Sequence, residues 1–549
     1  LLRPYLEARK EMHLLYKVVR AASAGHLAQQ FAVSKAGTDG RPKNATWTSE
    51  ERRAVDETTL DVANGEPLAL LWACKGGFLK AVNVALSSGE VDVNRSDPDD
   101  GCTPLWVACQ NGHLDVVQAL LFADEIHINQ ADNDGVTPLY EACQRGHVGV
   151  VRALVDASGI QVNRAKNGFV TPLFMACQFG YLEVVCALLG AKGIEANRAN
   201  DNGASPLLMA CQNGHLDVVQ ALLLDTNVVD VNFAQASTGC TPLFQACQNG
   251  YFEVVTALLD VDGIEVNRAN DDGITPLNIA SDNGHLEVVM AMLAGAAGTI
   301  QVNQPEVLGG GTPLFQACQN GHLEVIRALL GADGIKINQK NKDGATPLFQ
   351  ACGEGHLDVV RVLLAVDGIK VNEVDNEGAS PLFMACGEGH AEVVRVLLGA
   401  EGIEINQARP NDGATPLMMA CGEGHVDVVR ALLGADGIET NTADSDGSTP
   451  LYMACGEGYV EVVRALLCTD GIYVNVRLTD GQSPLTAAAE ADSPGVIKLL
   501  LGAGADVNAR VIDPSPLDPS CSGLTALGVA RANGCRKAEV ALMEAGAEV

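Results

Sequence analysis

The sequence predicts an all-α solenoid, a curved superhelical rod of tandem units in which a helix-turn-helix is followed by a hairpin loop. Three observations predict it. A Thr-Pro or Ser-Pro dipeptide recurs with Pro at 104, 138, 172, 206, 242, 276, 313, 347, 381, 416, 450 and 484, in steps of 34 residues with single steps of 35, 36 and 37. Apolar residues after each Pro fall at helical spacing. Composition is uniform from about residue 69 onward, with 47% apolar and 19% charged residues overall, enough to build core throughout. A fixed period of this length marks a repeat array rather than a string of globular domains.

Residues 312–347 show why each element forms. Thr312 is a good N-cap, and Pro313 sits at the first helical position, where a missing N–H costs nothing. Leu314, Ala317 and Cys318 then share one face of a short helix. Gly321 supplies a left-handed residue that stops it, and His322 begins the turn. Leu323, Val325, Ile326, Leu329 and Leu330 form the apolar face of a second helix. Glu324 stands near that helix's positive end and pairs with Arg327. Ile335-Lys336-Ile337-Asn338 leaves in an extended segment, and Asn341-Lys342-Asp343-Gly344 makes a tight turn before the next Thr-Pro. Two helices this short cannot bury their own apolar faces, so they stack on identical neighbours. At roughly 10 Å per helix layer, 14 units make a rod on the order of 140 Å long.

Composition narrows the function classes. The net charge is −32, from 36 basic and 68 acidic residues. Basic residues are scattered, as in the Arg327, Arg361 and Arg395 series, so nucleic acid and anionic membrane surfaces are not expected partners. No apolar run approaches the 18 or so residues of a membrane span. Of 17 cysteines, eleven recur in one slot, from Cys74 and Cys109 to Cys421 and Cys455, which Ser281 and Ala489 also occupy. That slot calls for a small, weakly polar residue, so the cysteines are expected to be free thiols in a reducing compartment, cytosol or nucleus.

The unit D-x-x-G-x-T-P-L-x-x-A-C-x-x-G-H-L-x-V-V-x-x-L-L resembles the ankyrin repeat family. The resemblance implies the helix-helix-hairpin fold and a role in binding other proteins, without catalysis or cofactor. One departure is systematic. Where the family has a His two residues after Pro, bonded to the loop Thr, this chain has Trp106, Tyr140, Phe174, Phe244, Phe315, Phe349, Phe383 and Tyr452, with Leu208, Asn278 and Met418 as exceptions. The expectation is a stack of aromatics in place of a polar ladder, which leaves the hydrogen bonding between repeats to be found elsewhere.

No nucleophile-base pair, Walker loop, dinucleotide loop or kinase signature is present, and no enzyme is expected. His113, His215, His322, His425 and their equivalents recur after the turn Gly, a repeat apart and interchangeable with Tyr181, Tyr251 and Tyr459. They read as turn residues rather than metal ligands, since a zinc site needs about four convergent donors. Asn94, Asn129, Asn163, Asn267, Asn372 and Asn508 recur after the second helix and read as buried amides satisfying loop backbone. The resemblance also implies that an oxygenase can hydroxylate the Asn of this motif, which intact-mass spectra would reveal.

The resemblance places partners on the concave face, formed by hairpin tips and the ends of first helices. The paired slot between Ala-Cys and Gly-His varies there. It reads Gln110/Asn111, Gln212/Asn213, Gln248/Asn249 and Gln319/Asn320, then switches near residue 353 to Gly followed by Glu354, Glu388, Glu423 and Glu457. Recent duplication accounts for such a switch without a ligand. A groove that is amide-lined and then acidic accounts for it too, the acidic zone suiting a basic peptide or surface.

The expected organisation is an N-terminal helical cap at residues 1–34, an insertion at 35–66 with a loop and a short helix near Thr48-Ser49-Glu50, and a repeat domain at 67–549 ending in a degenerate capping unit. Residues 304–311 are expected to lengthen one hairpin, and 511–524 to form a Pro-rich finger. Three roles stay open: a scaffold or adaptor built wholly of repeats; the repeat region of a larger ion channel, kinase, acyltransferase or ubiquitin ligase; or a structural subunit of a large assembly.

Overall fold

The computed structural model describes Thr59 and residues 68–548, apart from 167–168, 225–227, 296–297, 479–480 and 512–522. The expected cap at 1–34 and insertion at 35–66 lie outside the described residues (Thr59 apart), as does most of the 511–524 finger. At that finger's base, Val511 N–H donates to Leu524 O and Gly523 N–H to Val511 O, each at 3.0 Å.

The described residues form 28 helices, two to a unit, from Ala69–Gly76 and Leu79–Ser88 to Ala526–Ala532 and Arg536–Glu544. They contain no strand and one isolated bridge, Arg510 with Thr525. The predicted all-α repeat solenoid is what forms. The chain divides into two compact units, Leu1–Asp271 and Asp272–Val549. Within each, every first helix packs on the next first helix and every second helix on the next second helix.

The local chemistry is that of the sequence. Thr312 is extended and its Oγ1 accepts from Phe315 N–H at 3.2 Å, with Pro313 opening the helix Pro313–Gln319. Gly321 has φ 73° and ends it. In the hairpin, Asn341 Oδ1 accepts from Asp343 and Ala345 N–H at 3.0 and 2.8 Å, and Gly344 takes φ 82°. Glu324 and Arg327 lie 3.5 Å apart with both side chains more than half exposed, a pair of little energetic consequence.

The second helix, Leu323–Leu330, buries Val325, Ile326 and Leu329. Leu323 and Leu330, expected on the same face, are only half-buried. They flank it, and residues at the Leu323 position reach toward the next repeat: Leu114 Cδ2 comes within 3.2 Å of a Cβ built on Gly149. Leu329 is fully buried, and Leu329→Ala would cost about 2–5 kcal/mol.

All eleven cysteines of the repeated slot are buried and unpaired, and burial pushes their thiols up. The aromatic slot forms a different arrangement from the expected stack. Trp106, Tyr140 and Phe174 are buried in one cluster with Cys102, Val136 and Ala204; Phe315, Phe349 and Phe383 are buried in another with Ala345 and Ala379. The interleaved residues each precede a loop Thr or Ser, so hairpin side chains join the rings' packing. Burial raises the Tyr140 phenol to about 12.

Only part of the long step between Pro276 and Pro313 lies in the hairpin where it was expected. Asn303 to Thr312 is one residue longer than Asn338 to Thr346. The other two extra residues precede Asn303, after a second helix that runs on to Gly295.

Candidate protein-binding surface

The surface is set by hydrogen bonds between repeats, and two side-chain ladders supply them. After the second helix, Asn129 donates through Nδ2 to Gly159 O at 2.8 Å and accepts at Oδ1 from Gln161 N–H at 2.9 Å. Asn163, Asn338, Asn372 and Asn406 repeat both bonds, each to the following repeat. These amides are part-exposed rather than buried, and they serve a neighbour's backbone about 30 residues away rather than their own loop's. Their position at the edge of the hairpin row leaves one side open to solvent.

The histidines form the second ladder. The Nε2–H of His113, His147 and His215 donates to Lys75 O, Gln110 O and Gln178 O at 3.0–3.1 Å. His322, His356, His390 and His425 reach Asp282, Gln319, Gly353 and Gly387 at 2.8–2.9 Å. Each ring lies against the left-handed Gly of the preceding turn; a Cβ on Gly355 would stand 2.5 Å from His390 Cε1. Gly is required there for its φ and for this contact. The rings are thereby occupied as turn residues, and among the described residues no three His, Cys, Asp or Glu side chains converge as metal ligands.

Where the family's histidine is replaced, Asn278 keeps polar bonding: Thr275 N–H donates to its Oδ1 at 3.2 Å, and its Nδ2 donates to Gly311 O at 3.3 Å. Trp106 Nε1–H reaches Val136 O in the next repeat at 3.0 Å, and Tyr452 O–H reaches Gln482 Oε1 at 2.8 Å.

The predicted binding residues all lie at first-helix C-termini. Asn111, Asn213 and Asn249 turn Nδ2 back to the carbonyls of Val107, Met209 and Gln245 at 2.8–2.9 Å. Asn320 makes the same bond to Gln316 O at 3.3 Å and also crosses to Asp282 Oδ1 at 2.8 Å. These amides therefore cap helix ends. Gln110 Nε2 approaches Glu141 Oε1 at 3.4 Å, and Gln212, Gln248 and Gln319 are exposed.

Glu354, Glu388, Glu423 and Glu457 are exposed C-caps of the helices Pro347–Gly353, Pro381–Gly387, Pro416–Gly422 and Pro450–Gly456. Those four helices stack in sequence, which aligns the carboxylates in one row. Glu354 accepts from Gln350 Nε2 at 3.0 Å, and no cation pairs with any of the four among the described residues. A carboxylate at the negative end of a helix is electrostatically disfavoured.

Sequence reading missed the partner of the Gly beside three of the four Glu. Met384 Cε lies 3.8 Å from a Cβ built on Gly353, Met419 Cγ 3.2 Å from one on Gly387, and Met453 Cε 3.3 Å from one on Gly422. The absent side chains make room for half-exposed methionines of the following repeat. The signal was the Met at the third position after Pro in three successive units.

A family model described as ankyrin repeats in three copies matches residues 21–132, 124–200, 173–270, 263–341, 333–409, 402–478 and 437–511. No curated protein matches the chain in sequence. Among the described residues no helix is long and apolar enough to cross a membrane. Such repeats are protein-interaction modules and are generally non-enzymatic. With matches running from residue 21 to residue 511, the chain belongs to the ankyrin repeat family.

Proposed function

We propose that this chain is a scaffold or adaptor that holds partner proteins on the face shared by its hairpins and first helices, the family's concave face. The observation that carries this reading is the row Glu354, Glu388, Glu423 and Glu457, exposed and without a cationic partner among the described residues, at helix ends that disfavour negative charge. Beside it run Met384, Met419 and Met453, soft side chains that adapt to varied apolar surfaces. Together they suit a basic segment with apolar residues on one side. Gln110/Asn111, Gln212/Asn213, Gln248/Asn249 and Gln319/Asn320 extend the face as an amide zone. Unpaired cysteines throughout the described residues support a reducing compartment, cytosol or nucleus.

The test is affinity capture with mass spectrometry at low and high salt, using the wild-type chain and the fourfold variant E354K/E388K/E423K/E457K. A set of basic proteins retained at low salt by the wild type and lost by the variant is expected. Retention of the same set by both chains sinks the acidic-row reading.

A further inference from the structure

One groove in the first compact unit gathers four cations. It has a volume of about 780 Å³, and its lining includes Arg164, Lys166, Phe169, Lys192 and Arg198. The corresponding groove in the second unit has Gln407 in the position of Arg164 and Asp436 in the position of Lys192. The repeats act as internal controls. The residue before the turn Gly is Asp262, Asp333, Asp367, Glu401, Asp436 or Asp470 in six other units, Ser158 or Ala503 in two more, and Lys192 here. The hairpin position of Lys166 holds Asp132, Asn200, Gln235, Asn341, Asp375 or Asp444 in other units; Arg409 also occupies it, but pairs with Asp412 in its own hairpin.

Those acidic and amide residues have a local use that Lys166 gives up. Asp132 Oδ1 accepts from Val136 N–H, and Asp375 Oδ1 from Ala379 N–H, each at 2.8 Å. Among the described residues, the turn at Lys166 is closed by backbone bonds, Lys166 N–H to Val170 O and Phe169 N–H to Lys166 O, both at 3.0 Å. Phe169 takes φ 61° in the slot where Gly135, Gly203, Gly344 and Gly378 carry their positive φ, and its ring is 60% exposed. A bulky residue in the left-handed region is a strained one, and such strain collects at functional sites. Of the four cations, Arg198 meets Glu195 at 3.2 Å and Arg164 donates to Asn129 O at 2.8 Å; neither lysine has an acidic partner among the described residues.

We propose that this groove binds an acidic linear segment of a partner protein, whose carboxylates pair with Lys166 and Lys192 while an apolar side chain lies on Phe169. Charge complementarity selects that occupant: the chain as a whole, at −32, repels acidic peptides, and this groove is a local exception. The site lies in the first unit, and it stands or falls independently of the glutamate row in the second.

Panning a phage-displayed random peptide library on the full chain tests it, followed by fluorescence anisotropy with the leading peptide as a synthetic probe. Enrichment of Asp- and Glu-rich peptides with an apolar residue is expected. The variant K166E/K192E then weakens the probe by about tenfold or more. Phe169→Gly, which relaxes the hairpin instead of unfolding it, weakens binding as well. The control K75E/K336E, which changes net charge equally, leaves affinity intact. Peptides without an acidic excess, undiminished binding by K166E/K192E, an equal loss in the control, or preferential binding of a single-stranded oligonucleotide at the groove would each overturn the assignment.

Discussion

Asn338 donates through Nδ2 to the carbonyl of Gly368, 2.8 Å away in the following repeat, while its Oδ1 accepts from Lys370 N–H at 3.0 Å. One amide thus satisfies both a donor and an acceptor on a neighbouring backbone. Because the same pair of bonds recurs along each compact unit, the exit segments are held in register by side chains where a sheet would use backbone. This answers the question raised by the loss of the family's histidine. Bonding between repeats is carried at the Asn and at the His after the turn, so the slot after Pro is free to become aromatic.

Replacing Asn338 by Ala removes both bonds and leaves Lys370 N–H and Gly368 O to water. The site is part-exposed, so the expected loss is modest, about 1–2 kcal/mol. Amide hydrogen exchange locates it: Lys370 should exchange much faster in the variant, while the Asn372 pairing in the next repeat stays protected. Unchanged exchange at Lys370 would show that the bond does not hold the segment. Asn338→Asp keeps the acceptor and loses the donor, and should fall between wild type and Ala.

The period, the Thr312 cap, the left-handed Gly321 and the Asn341 turn were legible in the sequence because each depends on residues within one unit. Contacts between units were less so. Nothing within residues 312–346 says that Asn338 faces Gly368, that Leu323 leans on a neighbour, or that Gly387 exists to admit Met419. Those facts depend on stacking register, which spacing alone does not supply. The glutamate row was legible for a related reason: a recurring slot in each first helix comes into alignment once the helices stack. Lys166 and Phe169 are visible as departures in the sequence, yet their shared groove appears only when segments some 30 residues apart come together.

Ser281 occupies the cysteine slot, fully buried, and its Oγ has no hydrogen-bond partner. An unsatisfied buried hydroxyl costs about 1–3 kcal/mol, and a thiol loses less on leaving water. Ser281→Cys is therefore expected to stabilise the chain by about 1 kcal/mol, read as a higher urea midpoint with an unchanged slope. Ser281→Val overfills the same space and is expected to destabilise by about 1–3 kcal/mol. A Cys variant no more stable than wild type would mean that the hydroxyl is satisfied in solution.

The carboxylate row sets stability against binding. If Glu354, Glu388, Glu423 and Glu457 are kept for a partner, reversing them to Lys should leave the fold at least as stable, because cations at helix C-termini gain up to about 0.3–1 kcal/mol each. Thermal melting of E354K/E388K/E423K/E457K is thus expected at or above the wild-type temperature even as basic partners are lost. A variant that melts well below wild type would assign the row a structural role.

Glu373 offers a pH signature. Its carboxylate joins Lys370 at 2.9 Å and Lys340, in the preceding repeat, at 3.0 Å. Hydrogen bonds from Lys370 and then Lys340 hold its pKa below the ordinary carboxylate value. A depressed folded-state pKa means that the unfolded chain binds the proton more readily. The contribution is present in full above the unfolded pKa, near about pH 4, and is lost as pH falls through the lower folded value. Glu373→Gln is accordingly expected to be less stable than wild type at pH 7, by no more than about 1 kcal/mol because all three side chains are partly solvated. The gap should narrow on acidification and close below the folded pKa, and added salt at pH 7 should shrink it. Urea midpoints for the two chains at neutral and acid pH measure this directly. A difference that does not change with pH would assign the effect of Glu373 to packing rather than charge.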